Sequence, residues 1–221
     1  MGRRVLYKAI LFDLDGTLLD TIQDIAESMN TVLGRYGFPV HTIEAYKNFV
    51  GEGMEILVRR VLPENKADAE TVALCLSAMR EEYAANWRRN SRPYAGVPEL
   101  LDDLAARDIK LAVLSNKPDE FTKTMVTALL PRWPFNPVLG ARPSVPPKPD
   151  PKAALEIAGR LSLPPEEFLY LGDTGIDMRT AVVAGMYPVG VLWGFRTAEE
   201  LEVTGAKTLI AKPGELVAVL S

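Results

Sequence analysis

Asp13 and Asp15 stand one residue apart at the end of the apolar run "AILF", and Gly16 and Thr17 follow them. One aspartate closing a strand is ordinary turn chemistry. Two at this spacing make a pocket of negative charge that needs a proton or a counter-ion. Three other places carry polar residues just beyond apolar runs. Ser115 and Asn116 follow "IKLAVL", Lys148 stands inside "PSVPPKPDP", and "FLYLG" leads into Asp173, with Asp177 a helical turn later. Singly, each has a plain structural role: Asp173 as a helix cap, Ser115–Asn116 as a turn, Lys148 as a solvated loop lysine. Together they are four carboxylates, a hydroxyl and a lysine, and crowded carboxylates repel unless a cation joins them. A hard divalent ion removes that cost. Mg2+ suits a few carboxylates completed by substrate oxygens and water, and is the cofactor expected here.

Such a set converges only if the runs preceding it lie side by side. Short apolar runs recur at 9–12, 109–114, 137–140, 168–172, 187–193 and 208–211. Near-continuous hydrophobicity without alternation marks strands covered on both faces, hence a parallel sheet. Helical patterns lie between them. Leu100, Leu101 and Leu104 form one stripe; Phe121, Met125, Ala128 and Leu129 form another, with Asp119 expected as its N-cap. "PDPKAALEIAGRL" opens with prolines, which a first helical turn tolerates. The expected fold class is α/β, a doubly wound, Rossmann-like parallel sheet whose ligands bind beyond the carboxyl ends of the strands.

Between the first and second of these strands the rhythm breaks. Ile22, Ile25, Met29, Val32, Leu33 and Tyr36 mark one helix, ended by Gly37, and Val72, Leu76, Met79, Tyr83 and Trp87 mark another. "VGEGMEILVRRVLP" starts a third at Gly51 and Gly53, glycines that let the chain make a close approach or simply start the helix. Roughly seventy residues exceed any ordinary strand–helix connection. The expected division is a core of residues 1–20 and 88–221 and an all-helical insert of residues 21–87. Cys75 reads as core, and His41 as solvated.

The 221 residues suffice for one large domain, or a core with a smaller insert. A chain 48% hydrophobic and 24% charged is that of a soluble globular protein, and a net charge of −4 argues against coating nucleic acid or anionic lipid. The single cysteine cannot form an internal disulfide. "MGRRVLYKAILFDLD" opens like a signal peptide, but Lys8 and Asp13 interrupt it, and Leu6 stands where myristoylation needs Ser or Thr. No run approaches the ~20 apolar residues of a membrane span. A cytoplasmic monomer or homodimer is expected, with no nucleic-acid or membrane partner.

The ordered motifs "DLDGT", "LSN", "KPDP" and "GDTGIDM" resemble those of the haloacid dehalogenase superfamily across nearly the whole chain. The spacing and helical insert are similar to those of its phosphoglycolate phosphatase-type members. The resemblance implies Mg2+-dependent hydrolysis of a small phosphorylated metabolite, a phosphomonoester, through an aspartyl-phosphate. Asp13 would be the nucleophile, and Asp15 the general acid and later the base. Ser115 and Lys148 would bind and neutralise phosphate, with Thr17 and Asn116 beside them. Asp13, Asp173 and the main-chain carbonyl of Asp15 would hold the metal, with Asp177 in support. The insert would be a cap, its Gly51–Gly53 loop helping to select the substrate.

Neighbouring chemistries fit less well. A metal-free dehalogenase would not need both Asp15 and Asp173. A phosphonate hydrolase would need a Schiff-base lysine, which "VGEGMEILVRR" lacks; Lys47 and Lys66 lie further off. A receiver-type signalling domain carries its phosphorylated aspartate after the third strand and has no large insert. Sugar phosphates, pyrophosphate and β-phosphoglucomutase-like chemistry stand as alternatives to phosphoglycolate. Arg142 and Pro143 occupy a stretch where phosphoglycolate phosphatases usually carry a glycine–acid pattern.

Overall fold

The structure, a computed structural model, describes residues 7–220; residues 1–6, which carry the leader and Leu6 readings, lie outside it. The chain divides into two units, one of Asp20–Arg92 and one of the remainder. The strands are β1 (Ala9–Phe12), β2 (Leu19–Asp20), β3 (Arg92–Pro93), β4 (Lys110–Pro118), β5 (Val138–Ala141), β6 (Phe168–Gly172), β7 (Tyr187–Val191) and β8 (Thr208–Ile210). β2 and β3 form a separate two-stranded sheet, and two residues are too few to leave a periodic signal.

The other six form one sheet in the order β5-β4-β1-β6-β7-β8, and each neighbouring pair in it is parallel. Ala9, Leu11, Ala112, Leu114, Phe168 and Tyr170 pack in one cluster with Ala154 and Ile157 of α7 (Lys152–Leu161) and Ala181 of α8 (Gly175–Ala184). Their alternates Ile10, Phe12, Leu111, Val113, Leu169 and Leu171 are also buried. Both sheet faces are therefore covered, which is why the runs read as continuous rather than alternating.

Strand order reverses beside β1, at the topological switch point where such sheets bind ligands. Phe12 pairs with Val113 on one side and Leu171 on the other. Asp13 thus lies level with Leu114 and Gly172, and Ser115 and Asp173 come one step beyond. β4 does not stop at Leu114, as the sequence pattern suggests, but runs on to Pro118. Its register against β5 jumps there: Leu114 faces Leu139 and Pro118 faces Ala141. The extra residues form a bulge that re-aims Ser115, Asn116 and Lys117 away from the ladder.

Asp119 is not the cap of the helix it begins. Pro118 occupies the cap position with extended backbone, and α6 (Asp119–Leu129) starts one residue earlier than expected. The Asp119 carboxylate instead accepts from Gly140 N at 2.8 Å and Lys123 Nζ at 2.6 Å, tying the helix to β5. The remaining helices of this unit are α5 (Val97–Ala106), α9 (Ala198–Val203) and α10 (Leu216–Val219).

The smaller unit contains α1 (Ile22–Arg35), α2 (Ile43–Phe49), α3 (Met54–Val61) and α4 (Ala69–Asn86). α2 escapes the hydrophobic pattern because Tyr46 is its one buried residue. Gly37 follows α1 at φ 74°, and Gly51 and Gly53 take φ 116° and 92° between α2 and α3, conformations that favour glycine. Cys75 is fully buried, as expected of a core residue. His41 is half-buried rather than fully solvated. Its Nε2 lies 2.8 Å from Val61 O, and its ring meets Tyr46 and Phe49 edge-on.

Asp24, in the first turn of α1, is 1% exposed. Its carboxylate accepts from Asn90 N and Nδ2 and from Ser91 N and Oγ, at 2.7–3.0 Å. One side chain so joins the start of the insert to its end. Asp24→Ala leaves several buried donors unpaired, and an unpaired buried donor costs ~1–3 kcal/mol. A stability loss of about 3 kcal/mol is expected, read from the urea midpoint; a loss under about 1 kcal/mol would count against the clamp.

Candidate active site

Asp13 N donates to Leu171 O at 2.9 Å, which extends the β1–β6 ladder by one residue and fixes where its side chain starts. The chain then turns through Gly16 at φ 90°, and Leu14 O accepts from the amides of Thr17, Leu18 and Leu19. A Cβ on Gly16 would run into the Asp173 carboxylate, as would one on Gly194; one on Gly172 would strike Asp177. These glycines leave room for buried carboxylates.

Asp173, just past β6, is gripped from two sides. Its Oδ1 accepts from Thr17 Oγ1 at 3.0 Å, and its Oδ2 from Phe195 N at 2.9 Å. It does not cap α8. Thr174 is the cap, in a capping box with Asp177, whose Oδ2 accepts from Thr174 N and Oγ1. This leaves Asp177 Oδ1 aimed at Lys148, whose Nζ donates to Asp177 Oδ1 at 2.6 Å, Asp13 Oδ1 at 2.8 Å and Leu114 O at 3.1 Å. All three ammonium protons have acceptors. The main chain of Lys148 is clamped as well: Lys148 N donates to Asn116 Oδ1, and Asn116 Nδ2 donates to Lys148 O.

Carboxylate oxygens of Asp13, Asp173 and Asp177 lie within 4.8 Å of one another, all buried. Burial pushes the Asp13 carboxyl up to about 7; Lys148 opposes this, and Asp177 and Asp15 add to it. Asp173 is raised well above the carboxylate range, first by burial and then by Asp13 and Asp177. Burial also works against the Lys148 charge, but Asp13 and Asp177 outweigh it and hold the ammonium well above the ordinary lysine range. Three buried carboxylates thus share one ammonium, a deficit of positive charge that a divalent cation fits by charge, oxygen donors and spacing.

Of the residues singled out from sequence, Asp13, Asp173, Asp177 and Lys148 meet directly. Thr17 has its hydroxyl on Asp173, and Asn116 has its amide on the Lys148 backbone. Ser115 Oγ accepts from Lys117 N at 3.1 Å. Asp15 points elsewhere, with both oxygens on Lys117 Nζ at 2.8 and 3.0 Å. Gly51 and Gly53 belong to the smaller unit. Lys117 and Tyr170, whose hydroxyl reaches Asp177 Oδ1 at 3.5 Å, were not legible as site residues. For Lys117 the period-two alternation from Ser115 gives no secure signal, because the bulge in β4 interrupts it.

A switch-point aspartate, a lysine bridging two carboxylates and an acidic helix start thus stand together beyond the carboxyl ends of β1 and β6. The model for the haloacid dehalogenase-like hydrolases matches residues 10–191, and the chain belongs to that family. It is 28% identical to a phosphoglycolate phosphatase of Aliivibrio fischeri over 97% of this chain and 96% of that one. To a phosphoglycolate phosphatase of Pseudomonas savastanoi pv. phaseolicola it is 31% identical, over 86% and 71%. A crystal structure of a candidate phosphoglycolate phosphatase from Lactobacillus delbrueckii subsp. bulgaricus superposes with TM-score 0.91 and 30% identity, covering 97% of this chain and 98% of that one. No helix among the described residues is long and apolar enough to cross a membrane.

Proposed function

We propose that this hydrolase is a Mg2+-dependent phosphomonoesterase that cleaves phosphoglycolate through an aspartyl-phosphate on Asp13. The observation that carries the reading is Asp13 itself: buried at the switch point, one oxygen held by Lys148, beside Asp173 and Asp177. The substrate is carried over from the phosphoglycolate phosphatases among the relatives. Bound at Asp13 and Asp173, Mg2+ would neutralise the carboxylates and offset repulsion between Asp13 and a phosphate dianion.

Asp13 Oδ2, which accepts no hydrogen bond among the described residues, is the attacking oxygen. It bonds to phosphorus as the bond to the alcohol oxygen breaks, and that oxygen takes a proton from Asp15. Water then attacks phosphorus, gives a proton to the Asp15 carboxylate, and releases inorganic phosphate and the Asp13 carboxylate. Lys148 holds the non-attacking oxygen of Asp13, and Asp177 holds Lys148. The Ser115 hydroxyl donates to a phosphoryl oxygen. The helical insert acts as the cap that chooses the substrate, through the loop of Gly51 and Gly53.

A steady-state screen over phosphoglycolate, sugar phosphates, nucleotides and pyrophosphate tests the reading. Phosphoglycolate should give the highest kcat/KM; a sugar phosphate ahead of it by tenfold would replace it. Chelation should abolish turnover, Mg2+ restore it and Ca2+ inhibit, because the larger ion coordinates more loosely.

Metal should also act on stability with a definite sign. With its carboxyl raised from 3.8 to about 7, folded Asp13 keeps a proton that the unfolded chain has lost. Its contribution is therefore intact below about pH 4 and is lost as pH rises through 7. Mg2+ should raise Tm more at pH 8 than at pH 6, and Asp13→Asn should flatten the difference. A Mg2+ effect independent of pH would count against the site.

A further inference from the structure

The two segments that grip Asp173 come from distant parts of the chain. Thr17, on Oδ1, lies in the turn after β1, and Phe195, on Oδ2, lies in the loop between β7 and α9. These segments are also tied to each other. The half-buried Trp193 donates from Nε1 to Thr17 O at 3.0 Å, across 176 residues of sequence. Hydrogen bonds and chain therefore close a ring, from Asp173 to Thr17, to Trp193, through Gly194 to Phe195 and back to Asp173. Gly194 is what lets the ring close so tightly, since a Cβ there would collide with both Asp173 and Gly16 O.

The ring supplies something that Asp173 lacks by itself. The terminal torsion of an aspartate is broad and fixes no orientation for the carboxylate. One donor on each oxygen does fix it, and still leaves lone pairs on both oxygens for a cation. The two donors must stay in register with each other, because each belongs to a loop rather than to a strand or helix. Upstream, Leu192 N donates to Ile210 O at 3.0 Å, and downstream α9 begins only at Ala198. Between those points, the indole N–H joins the loop to the turn that carries Thr17. An indole nitrogen can only donate, and a main-chain carbonyl is a fitting partner.

We propose that Trp193 is a positioning residue for the metal ligand Asp173. Its indole N–H keeps Thr17 and Phe195 in register on the two carboxylate oxygens, and so sets how tightly the site takes a divalent cation. The inference rests on the reading above that Mg2+ binds at Asp13 and Asp173.

The test is calorimetric titration of Mg2+ alone into the full chain. Trp193→Phe keeps an aromatic ring and removes the N–H. Loss of a group that orients a metal ligand typically weakens metal binding ~10–100-fold. Trp193 stands one bond further out than Thr17, so its loss should weaken Mg2+ binding by about tenfold, the lower end of that range. Thr17→Val should weaken it at least as much, and Thr17→Ser, which keeps the hydroxyl, should restore most of the affinity. In the Thr17→Val background, where Asp173 Oδ1 has already lost its donor, adding Trp193→Phe should cost less than about threefold, since residues that act through one another are not additive. A folded Trp193→Phe protein within about twofold of wild type would overturn the proposal. So would a full tenfold loss on top of Thr17→Val, which would mean that the indole acts elsewhere. Should Trp193→Phe fold poorly, the indole N–H resonances of the wild-type protein decide. Of the three tryptophans, Trp193 is assigned by elimination with Trp87→Phe and Trp133→Phe. Its resonance should shift with the same Mg2+ midpoint as the calorimetry, and a resonance indifferent to Mg2+ would overturn the proposal. Failure of wild type to bind Mg2+ would remove the metal reading and this inference with it, whereas unchanged binding in the variant removes the inference alone.

Discussion

Asp13→Asn will retain the fold and lose turnover of every phosphomonoester by on the order of 10⁴-fold or more, the scale of removing a covalent nucleophile. The substitution is nearly isosteric, and the amide oxygen can still accept from Lys148 Nζ. It also removes a charge the site holds at a cost, since burial and the neighbouring acids already push Asp13 toward its neutral form. Above pH 7 the metal-free variant should melt no lower than wild type. Steady-state assay beside a melting curve checks both halves. More than about a percent of activity in a folded variant would sink the nucleophile assignment.

Lys148→Met should damage stability and activity together. Methionine fills a similar volume but leaves Asp13 Oδ1, Asp177 Oδ1 and Leu114 O without their shared donor. Removing one partner from a buried ion pair costs ~3–5 kcal/mol, because the other charge stays behind. The penalty should be largest near pH 8 and shrink in acid as Asp13 takes up a proton, and Mg2+ should recover part of it. Activity should fall at least about 10³-fold through loss of charge stabilisation. Urea denaturation at two pH values, with and without Mg2+, measures the first effect. A variant within about 1 kcal/mol of wild type would mean that Lys148 is not the keystone of the cluster.

What could be seen beforehand divides along physical lines. β1 and β6 were legible because both faces of the sheet are covered, which leaves whole runs apolar. Asp13 and Asp173 were legible because the ends of such runs come together at a switch point. The bulge was not, since it exists only in the register of β4 against β5. The partners of Asp24 lie 66 and 67 residues away, and those of Thr17 and Asp15 lie 156 and 102 residues away, so no local pattern records them. Lys117 carried no expectation because its partner, Asp15, lies 102 residues away. His41 looked solvated for the same reason: its neighbours come from α2 and the end of α3.

The Asp24 clamp bears on how the chain finds this topology. Pairing β1 with β4 closes a loop of roughly a hundred residues, and closure entropy grows with the logarithm of length. Once Asp24 holds Asn90 and Ser91, the detour through the insert is short-circuited and the loop left to close is about a third as long. The saving is roughly 1 kcal/mol, available only if the helical insert condenses first. A segment that interrupts the sheet in sequence would thereby lower its effective contact order, provided it condenses before the central strands pair.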